Sequence, residues 1–149
     1  MWNKLPLEKE LSLLLLTTDV ARAYNNLDTS FIEDKLADDV VYESQQVLVP
    51  LRGKPGVVEY LQKKFETISN TPGAMLYVEL AFLENLADSM IPVAFAQEGQ
   101  PCLIMAQGAP DKKLAVVVVH EFNGLISRID LCTVAPHWSQ AKGTGEFPK

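Results

Sequence analysis

No run of basic residues interrupts this chain, and its charge leans the other way. Its 13 Lys and Arg stand against 19 Asp and Glu, for a formal net charge of −6. An acidic surface repels phosphate backbones, which argues against nucleic acid as a partner. Soft metal ligands are scarce. A zinc site takes about four ligands at close spacing, and Cys102, Cys132, His120 and His137 are scattered, so no metal is expected. The two cysteines sit alone in apolar stretches and read as buried, reduced thiols, which suits a cytoplasmic protein. Long hydrophobic runs are missing too. The Leu11–Leu16 run is far shorter than the ~20 residues that cross a bilayer, so no membrane span is expected. Glu8 and Glu10 beside Lys4 and Lys9 leave no positive leader for a signal peptide. A glycine-rich phosphate loop, an H-E-x-x-H pair and a nucleophile elbow are all absent. No motif therefore specifies a catalytic class, and no cofactor is implied.

What is present fits one domain over residues 1–149, with 48% apolar and 21% charged residues. Pro6 sits where a first helical turn tolerates it, and a helix is predicted from Leu7 to Tyr24, ended by Asn25-Asn26. Leu7, Leu11, Leu14 and Leu15 are read as its buried stripe. Asp28-Thr29-Ser30 caps a short second helix, with Glu33 three residues after Ser30 as in a capping box, and Leu36 closes it. Asp38-Asp39 turns the chain into a strand from Val40 to Gln46, with Val40, Tyr42 and Ser44 on one face. A third helix over Lys54–Ile68 places Val57, Val58, Leu61, Phe65 and Ile68 at helical spacing. Strands are then predicted at Met75–Leu83, Met90–Gln97, Cys102–Gln107, Leu114–Phe122 and Leu125–Val134. The Asn123-Gly124 pair is a strong hairpin signal, and the strands follow one another as an antiparallel meander. The ordered core is expected at about residues 7–135, with 136–149 as a flexible tail. Helices first and sheet second is an α+β layout.

The segment VARAYNNLDTSFIEDKLADDVVYES, followed by LRGKPGVVEYL, resembles the nuclear-transport-factor-2-like superfamily, and the resemblance covers about Leu7 to Val134. Ketosteroid isomerases, SnoaL-like polyketide cyclases and limonene epoxide hydrolases share that fold. It implies a cone in which about three N-terminal helices pack on a strongly curved, mostly antiparallel sheet around a pocket. The resemblance also points to residues. In the isomerases the strand after the paired aspartates carries the catalytic aspartate, and Ser44 stands at that place. A serine shuttles no proton at neutral pH without a base to activate it. In the epoxide hydrolases the same strand offers a tyrosine and, two residues on, an asparagine. Tyr42-x-Ser44 keeps that spacing, but the family's arginine–aspartate pair has no match in Cys102–Gln107. The end of helix one often contributes a pocket tyrosine, here Tyr24. Tyr24, Tyr42 and Ser44 are thus the expected substrate-binding residues. For both tyrosines, burial in the core explains the residue equally well.

Asp130 and His120 are the candidate catalytic residues. Alternation puts Arg128, Asp130, Cys132 and Val134 on one strand face, and Ile129, Leu131 and Thr133 on the other. Facing the pocket, Asp130 is a carboxylate in an apolar cavity; facing away, it forms an ordinary ion pair with Arg128 or a dimer contact. His120 shares a face with Val116, Val118 and Phe122. It is either a hydrogen-bonded core histidine or a partner of Asp130 across the Asn123-Gly124 turn, as in scytalone dehydratase. His137 is expected to be exposed, and Met75, Met90 and Met105 to fill gaps in the core.

Three functions follow. The first is a small-molecule-binding protein with an apolar pocket. The second is a cofactor-independent isomerase, lyase or hydrolase of a ketone, polyketide or terpenoid-like substrate, with Asp130 or His120 as base and Tyr42 as donor. The third is an interaction module without turnover. The valines of Val116–Val119 imply strands covered on both faces, so a homodimer through the sheet is expected as well.

Overall fold

The computed structural model describes residues 7–88 and 95–149, and the side chain of Leu7 and the predicted segment from Met90 to residue 94 lie outside that description. Helix α1 spans Leu7–Asn26. It buries Leu13, Leu16, Thr17, Val20, Ala21 and Tyr24, which recur every three or four residues. The expected stripe is corrected: Leu11 is 51% and Leu15 63% exposed. The leucine run holds more than one helical face, and the phase is set further along by Val20 and Tyr24. Replacing Leu15 by Lys is expected to leave the stability, read by urea denaturation, within about 0.5 kcal/mol of the parent, as for other exposed positions.

The second predicted helix is instead a pair of 3-10 turns, Thr29–Phe31 and Glu33–Lys35. Asp28 caps the first through its carboxylate, which accepts from the Ser30 amide, and Thr29 Oγ1 donates to Glu33 at 2.6 Å. Ile32, at φ −127°, breaks the helical path between them. Strand β1 then begins early, at Leu36, and runs to Ser44. A bulge between Leu36 and Val41 absorbs the acidic Asp38-Asp39 pair. The short β2 (Leu51–Arg52) leads through Gly53, at φ +91°, into α2 (Lys54–Ser69). Helix α2 buries Val57, Leu61, Phe65 and Ile68, as its periodicity predicts.

The remaining strands are β3 (Leu76–Leu83), β4 (Pro101–Gln107), β5 (Lys113–Phe122), β6 (Leu125–Cys132) and β7 (Ala141–Gly143). They build one seven-stranded sheet in the order β2-β1-β6-β5-β4-β3-β7, antiparallel except where β1 meets β6. β3 pairs directly with β4. This is an α+β fold, but the sheet is not strongly curled, and the expected cone gives way to a helix layer on a gentler sheet. The tail is corrected as well. β7 pairs with β3, the Leu80 amide donates to the Glu146 carbonyl, and Asn25 Nδ2 donates to the Pro148 carbonyl.

Each sheet face has its own core. Under α1 and α2 lie Val40, Tyr42, Leu103, Met105, Val117, Val119 and Ile129. On the other face Val116, Val118, Cys102, Ile104 and Cys132 are packed by Leu86, Ala96, Trp138 and Ala141 of the same chain. The valine run is therefore covered twice within one subunit, and it no longer calls for a second copy. Among the described residues, no helix is long and apolar enough to cross a membrane.

Candidate functional site

Two groups of polar side chains stand on opposite faces of the β1–β6 pair. Alternation along β1 turns Val40, Tyr42 and Ser44 toward the helices. Tyr24, near the end of α1, meets Tyr42 there, with the two hydroxyls 3.3 Å apart. Phe65 of α2 packs edge-on to Tyr24 at 5.5 Å between ring centres, and Tyr60 lies 5.4 Å from Tyr42. Burial pushes the Tyr24 phenol up to about 12, and burial likewise holds Tyr42 well above the ordinary tyrosine range. Both keep their protons at neutral pH. They are donors, not bases.

The proton of Tyr24 has one acceptor among the described residues, the Tyr42 oxygen. An enclosed hydroxyl that wastes its proton loses a hydrogen bond, so the favoured arrangement has Tyr24 donating to Tyr42. The Tyr42 proton is then free for a third group. That group has a place. Tyr42, Ser44, Val47, Val49, Leu51 and Tyr60 line a cavity of about 90 Å³. Ser44 Oγ accepts weakly from the Gln46 amide at 3.3 Å, which leaves its own proton available. Val47 and Val49 come from the β1–β2 loop, whose Leu48 is 98% exposed. Gln45 anchors the start of that loop: its Nε2 donates to the Ala135 carbonyl, and its Oε1 accepts from the Val134 amide.

On the other face, β5 and β6 bring His120 and Asp130 together, Nε2 to Oδ2 at 2.8 Å. Arg128 donates to both Asp130 oxygens from Nε and to Oδ1 from Nη2, and it also pairs with Glu43 of β1. Burial alone would raise the Asp130 pKa, but the hydrogen bonds from His120 and Arg128 outweigh it and hold the carboxyl below the ordinary aspartate value. Asp130 stays ionised, and Arg128, tied to it, stays charged.

The register separates the two groups. Tyr42 is opposite Ile129, and Glu43 is opposite Asp130. A one-residue offset in a strand is a change of face. Asp130 and His120 therefore point away from the cavity that holds Tyr42 and Ser44, so a base from the first pair and a donor from the second do not share a pocket. Of the other polar candidates, His137 is half-buried and caps a 3-10 turn through Nδ1. Both cysteines are free and buried, with burial pushing Cys132 up to about 12 and Cys102 higher still, so neither is a nucleophile. No cluster suited to a metal ion occurs among the described residues. Tyr60 was missed from sequence. It flanks the Val57–Leu61 stripe of α2, which is the one local signal it gives.

No family model and no curated protein matches the chain. Solved structures do match. An NTF2-like protein of unknown function from Mesorhizobium loti shares 12% identity over 95% of this chain and 98% of its own, with a TM-score of 0.58. An LEH-like epoxide hydrolase from M. tuberculosis shares 14% over 86% and 81%, with a TM-score of 0.55. A steroid delta-isomerase from Pseudomonas aeruginosa shares 17% over 87% and 82%, with a TM-score of 0.50. At such identities the likeness is one of architecture. The helix layer, the β1–β6 parallel pairing and these matches together give the chain the nuclear-transport-factor-2-like fold.

Proposed function

We propose that this protein binds a small, neutral, largely apolar molecule carrying one hydrogen-bond acceptor, and that it does so without turnover. The observation that carries the reading is the Tyr24–Tyr42 hydroxyl pair behind the cavity lined by Tyr42, Ser44 and Tyr60. A chain of hydroxyls polarises its last member, so Tyr42 presents a strengthened donor to a ligand carbonyl. Val47, Val49 and Leu51 offer the apolar body a wall. Among the described residues, the lining of this cavity holds no carboxylate and no histidine to take a proton from carbon or water.

Size narrows the ligand. A dry cavity of about 150 Å³ admits benzene, so a six-atom body fits the 90 Å³ here only with part of it outside the cavity or with the β1–β2 loop lifted. Cyclopentanone is a fitting probe. Titrated into isotopically labelled protein, it is expected to give saturable shifts at Tyr42, Ser44 and Tyr60. Tyr42→Phe should weaken binding by about fivefold to tenfold, the worth of one hydrogen bond. Ser44→Trp should abolish it by filling the space. Unchanged affinity in Ser44→Trp would sink the proposal. Self-association remains a separate proposal: with the valine strands covered, it would use the polar β1–β6 half of the outer face, where Glu43 and Arg128 are partly exposed.

A further inference from the structure

A second cleft, of about 240 Å³, opens between the start of α1 and the end of β5. We propose that it is a binding site for a small aromatic hydroxy acid, distinct from the tyrosine pocket. Gln100 lines the cleft and is 7% exposed. Its Oε1 accepts from the Gln97 amide at 2.9 Å, which fixes the orientation of the side-chain amide. Nε2, a double donor, is left with no partner among the described residues. Thr17 Oγ1 is the one enclosed side-chain polar atom without a partner among the described residues, so Gln100 Nε2 is accessible, and its protons are open to a ligand oxygen.

His120 is the complementary group. Asp130 holds its Nε2, so the ring proton sits on that nitrogen in the neutral imidazole, and Nδ1 becomes an acceptor with no partner among the described residues. One wall therefore offers a donor and another an acceptor. A carboxylate oxygen answers Gln100, and a neighbouring hydroxyl donates to Nδ1. Lys9, an exposed cation of the first turn of α1 that also lines the cleft, favours the negative charge. The opposing charge, Glu121, is engaged elsewhere: its Oε2 accepts from the Gly124 amide at 2.7 Å, which turns it toward the hairpin. Phe95, 6.0 Å from the His120 ring, and Leu13 supply a surface for an aromatic body.

The test is a titration with mandelate, read by nuclear magnetic resonance at Phe95, His120 and Gln100, with phenylacetate and 1-phenylethanol as controls. Mandelate should saturate. Phenylacetate, which lacks the hydroxyl, and 1-phenylethanol, which lacks the carboxylate, should each bind about tenfold more weakly. Gln100→Leu should cost about tenfold, and Lys9→Met, a surface change that leaves the fold intact, about threefold. Ser44→Trp should leave mandelate binding untouched. Equal binding of all three compounds, no saturation with mandelate, or parental affinity in Lys9→Met together with Gln100→Leu would overturn the proposal. If Gln100→Leu does not fold, the Lys9→Met variant and the two control ligands decide it.

Discussion

Replacing Asn25 by Ala is expected to lower the stability of the fold by about 3 kcal/mol, the largest single loss at a polar position. Asn25 is buried near the end of α1, and its side chain replaces a missing strand. Along the outer edge of β3, β7 and the residues after it pair as far as Leu80, whose amide donates to Glu146 and whose carbonyl accepts from Thr144. Val78 is the next residue with backbone groups on that edge. The Asn25 amide supplies both partners: Nδ2 donates to the Val78 carbonyl and Oδ1 accepts from the Val78 amide, each at 2.8 Å. Nδ2 also reaches the Pro148 carbonyl at 2.7 Å, and Lys149 Nζ donates to the Asn25 carbonyl. Alanine leaves two strand groups and a tail carbonyl without partners. Urea denaturation reads the loss, and hydrogen exchange should speed selectively at Val78. A loss under about 1 kcal/mol would mean that water replaces the amide at no cost.

Arg128→Met is expected to cost about 2 kcal/mol at pH 7, and its cost should shrink in acid. Asp130 is 6% exposed and keeps its charge because Arg128 and His120 hydrogen-bond to it. Removing one partner of a buried pair costs about 3–5 kcal/mol, but Arg128 is itself a third exposed, so solvent screening places the figure lower. The substitution also leaves Glu43 and Asp130, register partners on β1 and β6, as adjacent carboxylates. Because the native Asp130 pKa is depressed, the stabilisation is fully present above the unfolded value of about 3.9 and is lost as the pH falls through the lower native value. Parent and variant should therefore differ by the full amount at pH 7 and converge only as the pH falls through the depressed native value, apart from the packing of the arginine stem. A cost independent of pH would show that packing, not charge, is what Arg128 contributes.

Much of this arrangement is legible in the chain, and the failures have physical causes. The α2 face was readable because Val57, Leu61, Phe65 and Ile68 are separated by polar residues that allow one phase only. The inward set Val40, Tyr42 and Ser44 was readable for the same reason, with Glu43 marking the other side. α1 misled because four adjacent leucines satisfy several phases at once. The pairing of His120 with Asp130 follows from the Asn123-Gly124 turn, which fixes the β5–β6 register. Which face they occupy does not follow, since Val116–Val119 make both faces of β5 apolar. The covering of the second face was hidden as well: Trp138 and Ala141 lie in a polar, glycine-bearing segment that reads as a tail, and only β3 gives it an edge to pair with. Asn25 and Gln100 look like a helix stop and a loop residue. Their roles arise from contacts with Val78, Pro148 and Gln97, and an amide carries no local mark of its distant partners.

The most direct test of the central claim, that the ligand site lies on the helix side of the sheet at Tyr42 and Ser44, is a crystal structure grown with cyclopentanone. The expected result is density for the ketone bounded by Tyr42, Ser44 and Tyr60, its oxygen about 2.7 Å from the Tyr42 hydroxyl. A tyrosine cavity that stays empty while the ketone sits against Asp130 and Arg128 on the opposite face would contradict it.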